Sequence, residues 1–118
     1  MKIISVVGAR PNFMKIAPLC HAIDEVNQFG KKARIEHLLV HTGQHYDDAM
    51  SAAFFKGLNI PEPHMNLNIG SGTHAEQVGR TMIEFEKIIL AHRPDWVIVL
   101  GDVNATIACS ITAKKELV

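Results

Sequence analysis

Two almost wholly apolar runs, KIISVV at residues 2–7 and WVIVL at 96–100, constrain this chain more than any other feature. Each stops at a glycine, Gly8 or Gly101, and each is followed by a helix-like pattern. Runs of this length, rich in β-branched residues, suit strands buried on both faces of a parallel sheet. In such sheets the loops at the carboxyl ends of the strands are where ligands bind. The first loop, GARPNFMK at 8–15, carries Arg10 and, one turn on, Lys15; the second, GDVNAT at 101–106, carries Asp102. A site with both charge signs suits an anionic ligand that must also exchange protons.

The intervening sequence fills in an alternating pattern. Phe13, Ile16, Leu19, Ile23 and Val26 recur at helical spacing, which predicts a helix from Pro11 to Asn27. Pro11 suits its first turn, and Pro18 predicts a kink because it removes one backbone bond. Gly30 turns the chain into a second strand at 34–40 (RIEHLLV). A loop, THTGQHYDD, leads to a short helix over 47–57, and Pro61 and Pro63 predict irregular backbone through 58–73. Thr73 and Glu76 form a capping box for the next helix. Its apolar face is Val78, Met82, Phe85 and Ile89, and Pro94 stops it after His92. The strand at 96–100 and a helix over 104–115 complete the order β-α-β-α-α-β-α.

That order predicts an α/β fold, a Rossmann-like three-layer α/β/α parallel sheet with right-handed crossovers. With the strands in spatial order 2-1-3, the two polar loops diverge to opposite faces and open a crevice at the switch point.

Composition removes several classes of function. Lys+Arg and Asp+Glu number 12 each, so the chain lacks the basic excess that nucleic acid or acidic membrane demands. No apolar run approaches the roughly 18–20 residues that span a bilayer. The N-terminus reads as a first strand and not as a signal peptide, which points to the cytoplasm. Cys20 and Cys109 stand in separate apolar helical contexts and read as buried free thiols. His37, His41 and His45 recur every four residues across a strand and a loop, where that spacing makes no ligand face, so no metal is expected.

Each motif has a plain structural reading beside the functional one. Helix amides and Arg10 favour an anion, or Arg10 pairs at a surface. Asp102 moves protons or accepts from a sugar hydroxyl, or else it or Asn104 caps the last helix. His45 donates to a phosphate or points into water, and Gly70-Ser71-Gly72-Thr73 forms an anion nest or a flexible cap. Ala9-Arg10 stands where a dinucleotide fingerprint needs its second glycine, and no G-x-x-x-x-G-K-[ST] motif occurs. No dinucleotide or other cofactor is expected.

Taken together, GARPNFMKIAPL, HTGQHYDDAM, GSGTHAEQ and GDVNAT resemble the non-hydrolysing UDP-N-acetylglucosamine 2-epimerases along essentially the whole chain. The resemblance implies a GT-B type fold of two Rossmann-like domains with the active site between them, generally as homodimers. It implies interconversion of UDP-GlcNAc and UDP-ManNAc for surface polysaccharide synthesis, by elimination of UDP and its re-addition. By motif it makes Asp102 catalytic and places Arg10, Lys15, Gln44, His45 and Asn104 against the UDP-sugar. Asp47 and Ser71 depart from the Gln and Arg of members activated by a second UDP-GlcNAc, which puts such regulation in doubt. Against the family's length, residues 1–118 are a single, incomplete N-terminal domain. The expectation is that this piece does not turn over substrate alone and self-associates.

Two other classes compete. A receiver domain needs an acidic pair after its first strand, and Gly8-Ala9-Arg10 stands there instead. A GT-B glycosyltransferase, or a non-catalytic nucleotide-sugar-binding remnant, has the same architecture without C2 proton exchange.

Overall fold

Strand β1 (Lys2–Val7) occupies the interior of a parallel sheet because its residues are apolar toward both faces. A computed structural model describes residues 1–30, 33–43, 56, 57, 59 and 62–118 of the chain. The remaining strands are β2 (Glu36–His41), β3 (Met65–Asn66) and β4 (Trp96–Ile98), in the order β3-β2-β1-β4. The register runs from Lys2 opposite Glu36 to Val7 opposite His41 on one side, and from Ile3 opposite Trp96 on the other. The expected order of the three main strands therefore holds, with β1 central.

One strand was not expected. Met65–Asn66 lies in the stretch read as irregular, yet pairs parallel with Val40 and His41. The amides of His64, Leu67, Ile69 and Gly70 continue the pairing onto carbonyls of Leu39, His41, Thr42 and Gly43, at 2.7–3.0 Å. Two residues carry no readable period, so backbone pairing alone makes this strand.

Helix α1 (Arg10–Phe29) covers one face of the sheet; α2 (His74–His92) and α3 (Asn104–Lys115) cover the other. The alternation of side chains along β1 and β2 sorts them into two cores. Val7 and Leu39 meet Phe13, Ile16, Ala17 and Cys20 of α1. Ile4, Val6 and Val40 meet Phe85, Ile88 and Ile89 of α2 and Ala105, Cys109 and Ala113 of α3. The two cysteines are thus buried free thiols on opposite sides of the sheet. Burial, reinforced by Asp24, pushes Cys20 up to about 11, and burial alone pushes Cys109 up to about 12.

Helix α1 is longer than its apolar spacing indicated, and it stays helical through Pro18. At α2 the capping box forms as expected: Thr73 Oγ1 accepts from the Glu76 amide and Glu76 Oε1 from the Thr73 amide, both at 3.1 Å. The bond from Thr73 holds the Glu76 carboxyl below its ordinary range, so the box weakens as pH falls through that lowered value. Arg93, with φ 45°, ends the helix immediately before Pro94. Among the described residues no helix is long and apolar enough to cross a membrane. The helix expected over 47–57 lies outside the described residues apart from Lys56 and Gly57, which are helical.

Candidate active site at the sheet switch point

The chain leaves β1 for α1 on one face and β4 for α3 on the other, so the two loops diverge at the switch point where ligands bind in such sheets. One side chain joins them. Asn12, only 2% exposed, accepts from the amides of Gly8 at 2.9 Å and Ala9 at 3.1 Å through Oδ1. Its Nδ2 donates to the carbonyl of Leu100 at 3.1 Å, across 88 residues of sequence. That same carbonyl accepts from Thr106 Oγ1 at 3.0 Å, which ties the loop down to the first turn of α3. Asn12 was read only as part of a motif; nothing in its local sequence indicates a partner so distant.

This bonding changes the reading of the first loop. The Gly8 and Ala9 amides, just before the helix whose first-turn amides were expected to favour an anion, are occupied by Asn12. Among the described side chains, Lys15 is a cation beside the second loop. A methyl group built on Gly101 would lie 3.7 Å from Lys15 Nζ. Gly101 also has φ +75°, which an L side chain adopts at a cost of roughly 1–2 kcal/mol. Asp102 follows directly and is exposed. Among the described residues neither Lys15 nor Asp102 is held in an ion pair. Both are open to a ligand. Arg10 opens α1, and its backbone alone is described.

The capping role considered for Asp102 and Asn104 is not realised. The N-cap of α3 is Val103, with no side-chain cap bond. Asn104 is half-buried, and its Nδ2 meets Gln77 Oε1 at 2.9 Å and His74 Nδ1 at 3.1 Å, linking α3 to the first turn of α2. In the Gly70–Thr73 segment the Gly70 amide binds Gly43 and the Thr73 amide binds Glu76, leaving an anion nest incomplete. Gln77 and Arg80 donate to the carbonyls of Gly70 and Ser71, each at 3.0 Å. Gln44, His45 and Asp47 lie outside the described residues.

Two side chains at the end of β2 were not singled out as site residues. His41 is buried, stacks on Phe13 with centroids 5.4 Å apart, and accepts the Gly43 amide on Nδ1 at 2.9 Å. Thr42 is fully buried, and among the described residues its hydroxyl has no partner. Among the described residues no three His, Cys, Asp or Glu side chains group to hold a metal.

The family described as UDP-N-acetylglucosamine 2-epimerase matches residues 27–118. The chain belongs to that family. It is 43% identical over 115 residues to the UDP-N-acetylglucosamine 2-epimerase of Methanocaldococcus jannaschii, covering 98% of this chain and 30% of that protein. It is 42% identical to the UDP-2,3-diacetamido-2,3-dideoxy-D-glucuronate 2-epimerase of Pseudomonas aeruginosa, covering 98% and 31%. The solved UDP-GlcNAc 2-epimerase of M. jannaschii, in complex with UDP-GlcNAc and UDP, superposes with a TM-score of 0.88 at 41% identity. The match covers 99% of this chain and 30% of that one. The chain thus spans about a third of the length of the epimerases it matches. Its Rossmann-like sheet and helices form the partial N-terminal domain of these GT-B type structures.

Proposed function

We propose that this chain supplies the switch-point half of an active site that epimerises a UDP-2-acetamido-2-deoxyhexose at C2. The observation that carries the reading is Lys15, in no ion pair among the described residues, beside the loop bearing Asp102 in a chain of the epimerase family. A departing diphosphate needs cationic stabilisation, and a carbon-bound proton needs a group to receive and return it. Breaking the anomeric C–O bond expels UDP while the C2 proton is lost, giving 2-acetamidoglucal. Re-addition of UDP with protonation at the opposite face of C2 gives the epimer. Lys15 and Arg10 are assigned to the anionic leaving group, Asp102 to proton transfer or to holding the sugar. Asn104, Gln44 and His45 are assigned as substrate contacts.

The substrate in this reading is UDP-GlcNAc, its product UDP-ManNAc, and the setting cytoplasmic synthesis of cell-surface polysaccharide. A second reading keeps the chemistry and changes the sugar. A relative of nearly equal identity is named for a UDP-2,3-diacetamido-2,3-dideoxy-D-glucuronate, which leaves substituents at C3 and C6 open. Incubating the full-length protein with UDP-GlcNAc in deuterium oxide tests the proposal. Deuterium is expected at C2 of both epimers. Epimerisation without it, or transfer of the sugar to an acceptor, removes the elimination mechanism.

We further propose that the 118 residues alone do not turn substrate over and that they self-associate. Strand β4 pairs with β1 along one side, leaving an edge. Trp96 is 62% exposed on it, and Ile107 and Ile111, one turn apart on α3, are 53% and 40% exposed. Sedimentation velocity is expected to show dimers or larger species, weakened by Trp96→Lys. A monomer at every concentration overturns this.

A further inference from the structure

We propose that Asn12 is a positioning residue for the reaction: one buried carboxamide fixes where Lys15 stands relative to Asp102. The inference rests on the epimerase reading for its catalytic consequence, and on the hydrogen bonds of Asn12 for its structural one. On the α1 side, Asn12 and Lys15 lie three residues apart and so share a helix face. On the other side, the Leu100 carbonyl that Asn12 holds is two residues from Asp102. Gly101 lies between, close to both Lys15 Nζ and Asn12 Nδ2.

The chemistry required at this position is narrow. Two N–H groups, of Gly8 and Ala9, need an acceptor, and one carbonyl needs a donor. A primary amide supplies both on one planar group. A carboxylate can accept both amides but meets the carbonyl with a lone pair. An aliphatic side chain leaves the Gly8 and Ala9 amides without this acceptor and the Leu100 carbonyl with Thr106 as its remaining donor. The cores on the two faces of the sheet seat α1 and α3 separately. Between the loops, Leu100 packs against the α1-side core, and the bond from Asn12 to its carbonyl fixes the polar register of the contact. A misplacement of about 1 Å between reacting groups can cost roughly a hundredfold in rate.

Asn12→Asp tests the idea because it is isosteric and its missing donor can be restored. At pH 8 the introduced carboxylate keeps the two amides and repels the Leu100 carbonyl. Acidification protonates it, and the hydroxyl then donates to Leu100. Lys15 and Asp102 are common to wild type and variant, so the difference between their pH profiles isolates the new carboxyl. In the full-length protein kcat is expected to fall about a hundredfold at pH 8, with KM changed less than about twofold. It should recover toward wild type on acidification. The 15N shift of Gly101, which reports hydrogen bonding at the preceding carbonyl, should titrate with the same midpoint in the variant and not in wild type.

Thr106→Val removes the other donor to Leu100 while leaving the Asn12 bridge, and it is expected to keep kcat. Asn12→Ser shortens the reach to Leu100 and should lose kcat at every pH, which keeps the test decisive if the aspartate variant does not fold. The proposal is overturned if either Asn12 variant retains full kcat at pH 8. It is also overturned if the Asn12→Asp loss persists while Gly101 titrates. If the wild type epimerises neither UDP-GlcNAc nor UDP-2,3-diacetamido-2,3-dideoxy-D-glucuronate, the epimerase reading has failed. The bridge then stands or falls on the Gly101 titration alone.

Discussion

Asp102→Asn is expected to lower epimerisation by the full-length protein by about 10²–10⁴-fold, the usual worth of a positioned proton-transfer group. The fold should survive the change. Asp102 is exposed, makes no ion pair among the described residues, and precedes Val103, the N-cap of α3, without capping the helix itself. The asparagine occupies the same volume and removes only the charge and the capacity to take a proton. Exchange of deuterium into C2 should fall in parallel with net epimerisation. If exchange persists at the wild-type rate while net epimerisation falls, Asp102 positions the sugar and another group removes the proton. Lys15→Met should instead slow departure of UDP, and it should weaken UDP binding as well. Its ammonium lies beside Gly101 and is in no ion pair among the described residues. Unchanged stability alongside lost activity separates these side chains from structural ones. Coincident denaturation curves for wild type and both variants provide that check.

The parts of this site differ in how far sequence alone reveals them, and the reason is range. Strand β1 announces itself because a strand covered by helices on both faces is apolar toward both, as KIISVV is apart from Lys2 and Ser5. Helix α2 announces itself through a local reciprocal cap, Thr73 with Glu76, and a stop at Pro94. Its buried face is shifted from the simplest apolar stripe. Thr81 is fully buried, with Val78 and Met82 only partly so, because the Thr81 hydroxyl donates to the Gln77 carbonyl at 2.6 Å. A polar side chain satisfied on its own helix packs like an apolar one. Strand β3 could not be seen, since its existence depends on carbonyls of β2 and its neighbours and not on its own two residues. The role of Asn12 is invisible for the same reason: its decisive partner is the backbone of Leu100, 88 residues away. Asn104 shows the converse. Its motif points to the ligand, while its amide nitrogen is engaged by α2.

The largest stability effect is expected from Phe85→Ala, at about 3–5 kcal/mol. Phe85 is fully buried and lies where α2 meets both the sheet and α3. Around it stand Ile4, Val6 and Val40 from the central strands, Ile88 and Ile89 from its own helix, and Ala105, Cys109 and Ala113 from α3. Alanines on α3 allow the two helices to approach closely, and the ring fills the space that their small side chains leave. Alanine at 85 therefore opens a cavity that neither helix can close without losing its seat on β1. A small domain holds only about 5–15 kcal/mol in total. The loss accordingly takes a large share of the stability, and the midpoint of chemical denaturation should drop steeply. The substitution has a functional reach too. Helix α2 carries Gln77 and His74, the partners of Asn104 at the head of α3, directly beside the loop that bears Asp102. A variant that remains folded at low temperature should lose activity on warming before its secondary structure melts. A change below about 1 kcal/mol would mean that α2 and α3 settle together without the ring, and that the core on this side of the sheet does not hold the Asp102 loop in place.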